Sequence, residues 1–188
     1  MAKKLVLLMG INGAGKTTLR NSQQLKADDA QTIDSDEFLQ AAKGNWRRKD
    51  DRIKAILQAD QKLNLLIEKN VDIIWELEAV GSLHNELNII TKAKDQRYDV
   101  ELVWVTLDRP ELALKRVLSR FREGGIGGSQ IDVPQRYRRV NDNFIKLEML
   151  ADQVVIYDNT FEMKKVYEKQ DNKEVLNKLI DYPWIKIK

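Results

Sequence analysis

The sequence predicts an α/β fold built on a parallel sheet of five strands flanked by helices. Apolar runs of strand length alternate with longer stretches of helical period, the pattern of strands joined by crossover helices. The first apolar run breaks directly into "GINGAGKTT", residues 10–18, a glycine loop ending in a lysine and two threonines. The second and third runs are followed by acids, at Asp34 and Asp36 and at Glu76 and Glu78. Residues just past the strand ends of an open parallel sheet face its ligand crevice.

The strands are placed at residues 5–9, 31–33, 71–75, 102–107 and 154–157. Leu114, Val117, Leu118 and Phe121 recur at helical spacing after Pro110, and Leu83, Leu87 and Ile90 do so after Ser82, read as an N-cap. Residues 50–69 are long, charged and helical in period, and "NKEVLNKLI", residues 172–180, reads as a further amphipathic helix. Neither shows chemistry. Residues 122–134 hold four of the nine glycines, so a loop or lid is expected there, continuing to about residue 139. With no repeat and no internal boundary, residues 1–188 are read as one domain.

Composition narrows the classes. The 43% of apolar residues fills one core, and the net charge of +3 does not announce a nucleic-acid or membrane-surface partner. The absence of cysteine removes disulfides, thiolate metal sites and Cys nucleophiles together. The opening "MAKKLVLLMG" runs straight into the glycine loop without a small-residue cleavage site, so it is read as a strand and not as a signal. A cytoplasmic protein is expected.

Gly10, Gly15, Lys16 and Thr17 fit the phosphate-binding P-loop pattern G-x-x-x-x-G-K-[ST], between a predicted strand and a predicted helix. Gly10, Asn12, Gly13, Ala14, Gly15, Lys16, Thr17 and Thr18 are therefore expected to cradle a nucleotide, ATP. Lys16 would reach the β and γ phosphates, and the Thr17 hydroxyl would ligate Mg²⁺. Such a loop serves a kinase, an ATPase or a switch with a protein or nucleic-acid partner. The pattern alone does not choose.

The acids leave similar alternatives. Asp36 is read either as a helix cap or as a base for an attacking hydroxyl. Glu76 is read as a Mg²⁺ helper, an acceptor contact or an exposed strand-end acid. Residues 109–139 carry a net +5, leaving −2 for the rest of the chain. Arg116 and Arg120 lie one turn apart, and Arg136, Arg139 and Asn143 share the next helical face. This suits arginines closing over a transferred phosphoryl group and shutting out water. Phe121 and Tyr137 are the aromatic residues among them, short of interleaving of the kind that stacks bases, so nucleic acid is not expected. The single histidine, His84, is given no role.

Taken in order, "GINGAGKTT", "IDSDEF", a third strand ending in Glu76, "LDRPELALKRVLSRFREGG", "VPQRYRRVNDNF" and "IYDNT" resemble the zeta-toxin family of P-loop kinases. The resemblance implies an ATP- and Mg²⁺-dependent kinase for a hydroxyl of a small acceptor, UDP-N-acetylglucosamine in family members, and an antitoxin partner. It implies Asp36 as base, Lys16 and Thr17 as phosphate and Mg²⁺ groups, and Glu76 as a substrate contact. Arg120, with Arg136 or Arg139, would be the transition-state cations. The chain departs from the family at "ELEAVG", residues 76–81, where a Thr or Ser commonly follows the strand-end Glu.

Overall fold

The computed structural model describes residues 2–22, 24–25, 29–123 and 132–187. Its strands are β1 (Lys4–Met9), β2 (Gln31–Asp34), β3 (Ile73–Leu77), β4 (Asp99–Thr106), β5 (Gln153–Asp158), β6 (Lys164–Gln170) and β7 (Lys173–Asn177). Its helices are α1 (Lys16–Arg20), α2 (Ser35–Ala41), α3 (Lys49–Glu68), α4 (His84–Asp95), α5 (Pro110–Arg122) and α6 (Val133–Glu148). Among the described residues no helix is long and apolar enough to cross a membrane.

The sheet order is β2-β3-β1-β4-β5-β6-β7. The first five strands in that order are parallel, as expected, while β6 and β7 extend the sheet antiparallel. Seven strands therefore replace the five expected, and the sheet is mixed. β1 lies centrally between β3 and β4, and Leu5 to Met9 are all buried. Burial on both faces explains their unbroken apolar run. α6 packs on the sheet through Phe144, whose ring stacks on Trp104 of β4 with centroids 4.4 Å apart.

Four expectations at this level are corrected. Residues 172–180 do not form a helix: residues 173–177 become β7, followed by a short 3₁₀ turn at Leu179–Asp181. Asp171 and Asn172 both take left-handed φ angles, 48° and 60°, between the paired residues Gln170 and Lys173. That is a two-residue hairpin loop whose twist matches its strands, and it overrides the helical period beyond it. β3 starts two residues later than expected, because the Val71 carbonyl accepts from the Tyr98 hydroxyl (2.8 Å) and the Asp72 carboxylate accepts from the Lys4 amide (2.8 Å). Glu76 thus lies inside the strand, opposite Asp34 on one side and Leu8 on the other.

Ser82 does not cap α4; Leu83 occupies that position with φ 59° and no side-chain cap. The glycines expected to form the lid, at 124, 125, 127 and 128, lie outside the described residues, but residues 133–139 form the first turns of α6 rather than part of a loop.

Candidate active site

The phosphate loop leaves β1 and enters α1 at Lys16. Gly13 and Gly15 have φ angles of 87° and 108°, a region that side-chain-bearing residues rarely adopt. A Cβ at Gly13 would also collide with the Ala113 carbonyl of α5, and one at Gly15 with the Asn159 amide. Asn159, just past β5, donates from Nδ2 to the Ala14 carbonyl at 2.7 Å. The loop is therefore wedged between α5 and the end of β5. Lys16 is buried, and its Nζ donates to the Gly10 carbonyl at 2.9 Å while lying 3.9 Å from Glu76 Oε1. Thr17 Oγ1 donates to Glu76 Oε1 at 3.1 Å, and Arg20 Nη1 stands 3.4 Å from Glu76 Oε2. Burial raises the Glu76 carboxyl above its usual range, against the lowering effect of Lys16.

The two acids at the end of β2 divide their roles. Asp34 accepts the Asp36 backbone amide at 2.9 Å and is the N-cap of α2, which satisfies one otherwise unpaired helix donor. The cap is Asp34 and not Asp36, so the Asp36 side chain is free for other work. Its carboxyl is pushed above the usual range, first by burial and then by Asp34; Lys16 opposes this, Glu78 adds to it, and Arg120 opposes it. A carboxylate with a raised pKa is a better proton acceptor near neutral pH.

Two cavities meet at these residues. One, of about 600 Å³, is lined by Gly13, Gly15, Lys16, Thr17, Thr18 and Arg20 of the loop and α1, and by Arg116, Arg120 and Asn159 across from them. The other, of about 450 Å³, runs between β3 and α3 and is walled by Trp46, Ile53, Ile56, Trp75 and Val80, with Lys49, Arg52, Asp60, Glu78 and Arg136 among its polar groups. Asn12, Asp36 and Glu76 line both.

The arginines separate. Arg116 donates from Nη2 to the Asn159 carbonyl at 2.8 Å, and Arg120 faces the nucleotide-sized cavity one turn later. Arg136 enters the second cavity and is held by Glu78 through both Nε and Nη2. Arg139 lies elsewhere, in an open groove with Gly81, Ser82 and Lys146. Of the two α6 candidates, the structure brings Arg136 to the site and leaves Arg139 outside it. Asn143, on the same helical face, is buried and donates to the carbonyls of Ala79 and Gly81 (2.7 and 3.0 Å), fixing the bend after β3.

Sequence reading missed two parts of this arrangement. α3, which showed no chemistry, supplies a cavity wall: Leu63 and Ile67 face the core, while Ile53, Ala55 and Ile56 line the cavity and Ala59 touches both. Apolar residues left over on the polar side of an amphipathic helix are the signal that could have exposed it. Glu78 ties the two halves together, since its Oε1 accepts the Asn12 amide of the phosphate loop (3.3 Å) as well as Arg136 Nε.

The zeta toxin family model matches residues 1–178. The chain belongs to the zeta toxin family. A relative by sequence is an uncharacterized protein of Haemophilus influenzae, 30% identical over 139 residues, which are 73% of this chain and 94% of that protein. Among solved structures, the chain is similar to the PezAT chromosomal toxin–antitoxin system of Streptococcus pneumoniae, with a TM-score of 0.71 and 21% identity over 89% of this chain and 72% of that one. It is also similar to the AvrRxo1-ORF1:ORF2 complex with ATP, with a TM-score of 0.74 and 17% identity over 98% of this chain and 63% of that one. These likenesses show that the chain shares their α/β fold, a mixed sheet flanked by helices.

Proposed function

We propose that this member of the zeta toxin family is an ATP-dependent phosphotransferase that moves the γ-phosphoryl group of ATP to a hydroxyl of a small acceptor. The observation that carries the reading is the shared wall: Asp36 lines both the phosphate cavity and a second cavity of about 450 Å³ with aromatic and aliphatic sides. Water as nucleophile needs no such room, whereas a small organic acceptor does. The ATP complex of the AvrRxo1 structure and the family membership support ATP as donor.

In this reading the acceptor oxygen attacks the γ-phosphorus in line. The bond from that phosphorus to the β–γ bridging oxygen breaks, and ADP leaves with the electron pair. The acceptor proton passes to the Asp36 carboxylate. Lys16 exchanges the Gly10 carbonyl for the β and γ phosphates, and Arg120 and Arg136 approach the spreading charge from opposite sides of Asp36. Among the described residues no group of three His, Asp or Glu side chains would hold a metal alone, but the Thr17 hydroxyl, held on Glu76, fits Mg²⁺ carried in on the nucleotide. That ion would neutralise charge on the β and γ oxygens.

The acceptor that the family resemblance supports is UDP-N-acetylglucosamine. The toxin–antitoxin system among the structural relatives supports an antitoxin as partner. We further read residues 1–188 as one cytoplasmic kinase domain. The test is ADP release from ATP·Mg²⁺ with a panel of nucleotide sugars, nucleosides and short RNA, run for wild type and Asp36→Asn. One class of small acceptor should stimulate release, and Asp36→Asn should lower transfer by about 10²–10⁴-fold while keeping ATP affinity. Stimulation by RNA alone, or full transfer by the variant, refutes the assignment.

A further inference from the structure

Three side chains that the reaction does not use lie between a wall of the acceptor cavity and the helical turn that carries Arg120. Trp46 lies in the connection between α2 and α3, and its ring lines the acceptor cavity. Phe121 lies in the last turn of α5, directly after Arg120, which lines the nucleotide cavity. The two rings meet edge to face, with centroids 6.3 Å apart and planes at 78°. The Arg47 guanidinium lies over both, 4.4 Å from the Trp46 centroid and 5.7 Å from that of Phe121.

Phe121 continues the inward row of Ala113 and Val117 at i+8, yet it is 39% exposed and packs on this bridge rather than in the core. Burial alone therefore does not explain its aromatic side chain. An aromatic pair with a cation over it has a preferred geometry, which a purely aliphatic contact lacks. Phe121 follows Arg120 on the same helical turn, so the aromatic bridge and the arginine that lines the nucleotide cavity share one stretch of backbone. Asp36 feels the Arg120 charge, so that arginine already stands within electrostatic reach of the base.

We propose that Trp46, Arg47 and Phe121 form a positioning latch that couples the acceptor cavity to Arg120, so that filling either cavity sets the geometry of the other. The proposal rests on the phosphotransferase reading for what the coupling serves, but not for its existence. Coupling of this kind is reciprocal: a nucleotide that draws on Arg120 must be felt at Trp46, although Trp46 does not line the nucleotide cavity. In function, Arg120 would take its catalytic position only when an acceptor supports the Trp46 wall, which restrains loss of the phosphoryl group to water.

The test uses the full chain labelled with 5-fluorotryptophan, whose four tryptophans give separate ¹⁹F resonances. Trp46 is assigned with Trp46→Phe, and Trp104 and Trp184, which line neither cavity, report on the integrity of the fold. Adding a non-hydrolysable ATP analogue with Mg²⁺ should move the Trp46 resonance in wild type. Phe121→Ala should bind the analogue, measured by calorimetry, but lose at least half of that shift. Phe121→Tyr, which keeps the ring, should retain it.

A wild-type Trp46 resonance indifferent to bound analogue, or a full shift in Phe121→Ala, overturns the latch. Asp36→Asn should keep the shift while losing transfer, so failure of the latch and failure of the phosphotransferase reading register in different measurements. A chain that does not bind the analogue at all overturns both.

Discussion

The two cavities that meet at Asp36 are built from different materials. The phosphate side is organised by backbone, a loop held by Gly13 and Gly15 in left-handed conformations and clamped by Asn159, with the charged side chains of Lys16, Arg20, Arg116 and Arg120 around it. The acceptor side is largely side chain, with Trp46, Ile53, Ile56 and Trp75 as walls and Asp60, Glu78 and Arg136 as polar points. Backbone geometry tolerates little substitution, whereas a wall of side chains on α3 can be rewritten without disturbing the core face of the same helix. On the proposed function, a fold organised this way keeps one donor and exchanges its acceptors.

The contrast is broken most directly at Lys16. Lys16→Ala should abolish tight ATP binding and lower transfer by about 10²–10³-fold, as for other lost transition-state donors. Calorimetry with ATP·Mg²⁺ should register the loss, with acceptor binding little changed; normal ATP affinity in this variant means that the loop is not the donor site.

The acceptor wall gives an intermediate effect. Ile56→Ala should leave the KM for ATP unchanged and raise that of the acceptor roughly fourfold for each methylene group that the acceptor no longer buries, since one buried CH₂ contributes about 0.8 kcal/mol. Steady-state kinetics with both substrates varied will separate the two constants. A rise confined to ATP would reverse the assignment of the cavities.

The smallest effects concern proton transfer. Asp36 must be ionised to accept a proton, and burial and Asp34 raise its pKa, so transfer should fall as pH drops through a limb lying above the usual carboxylate range. Glu78→Gln removes a charge that raises this pKa and should move the limb to lower pH. Arg120→Gln removes a charge that lowers it and should move the limb to higher pH. Profiles of kcat/KM against pH for the three proteins test both signs.

The same contrast explains what could be read from the chain alone. The phosphate loop was legible because its glycines, lysine and threonine sit at fixed spacing within nine residues, and local backbone geometry dictates them. Asp36 was legible as a candidate, but only the Asp34–Asp36 hydrogen bond assigns the cap to Asp34. Trp46 and Ile56 were silent as a site, and Glu78 was an acid without a partner, because they converge only when α3 packs against β3 and Arg136 of α6 reaches Glu78. The terminal "NKEVLNKLI" has Val175, Leu176, Leu179 and Ile180 at helical spacing, and what overrides that period is the pair of left-handed residues before it, Asp171 and Asn172.

That hairpin has a practical side. β5 runs toward the phosphate loop and β6 runs back, so the turn at Asp171 and Asn172 sits at the opposite end of the sheet, and both residues are exposed. Loop tips of this kind tolerate interruption far better than the strands they join. A dye, an affinity peptide or a surface tether placed there would hold the molecule by its far end, leaving both cavities open to the solution.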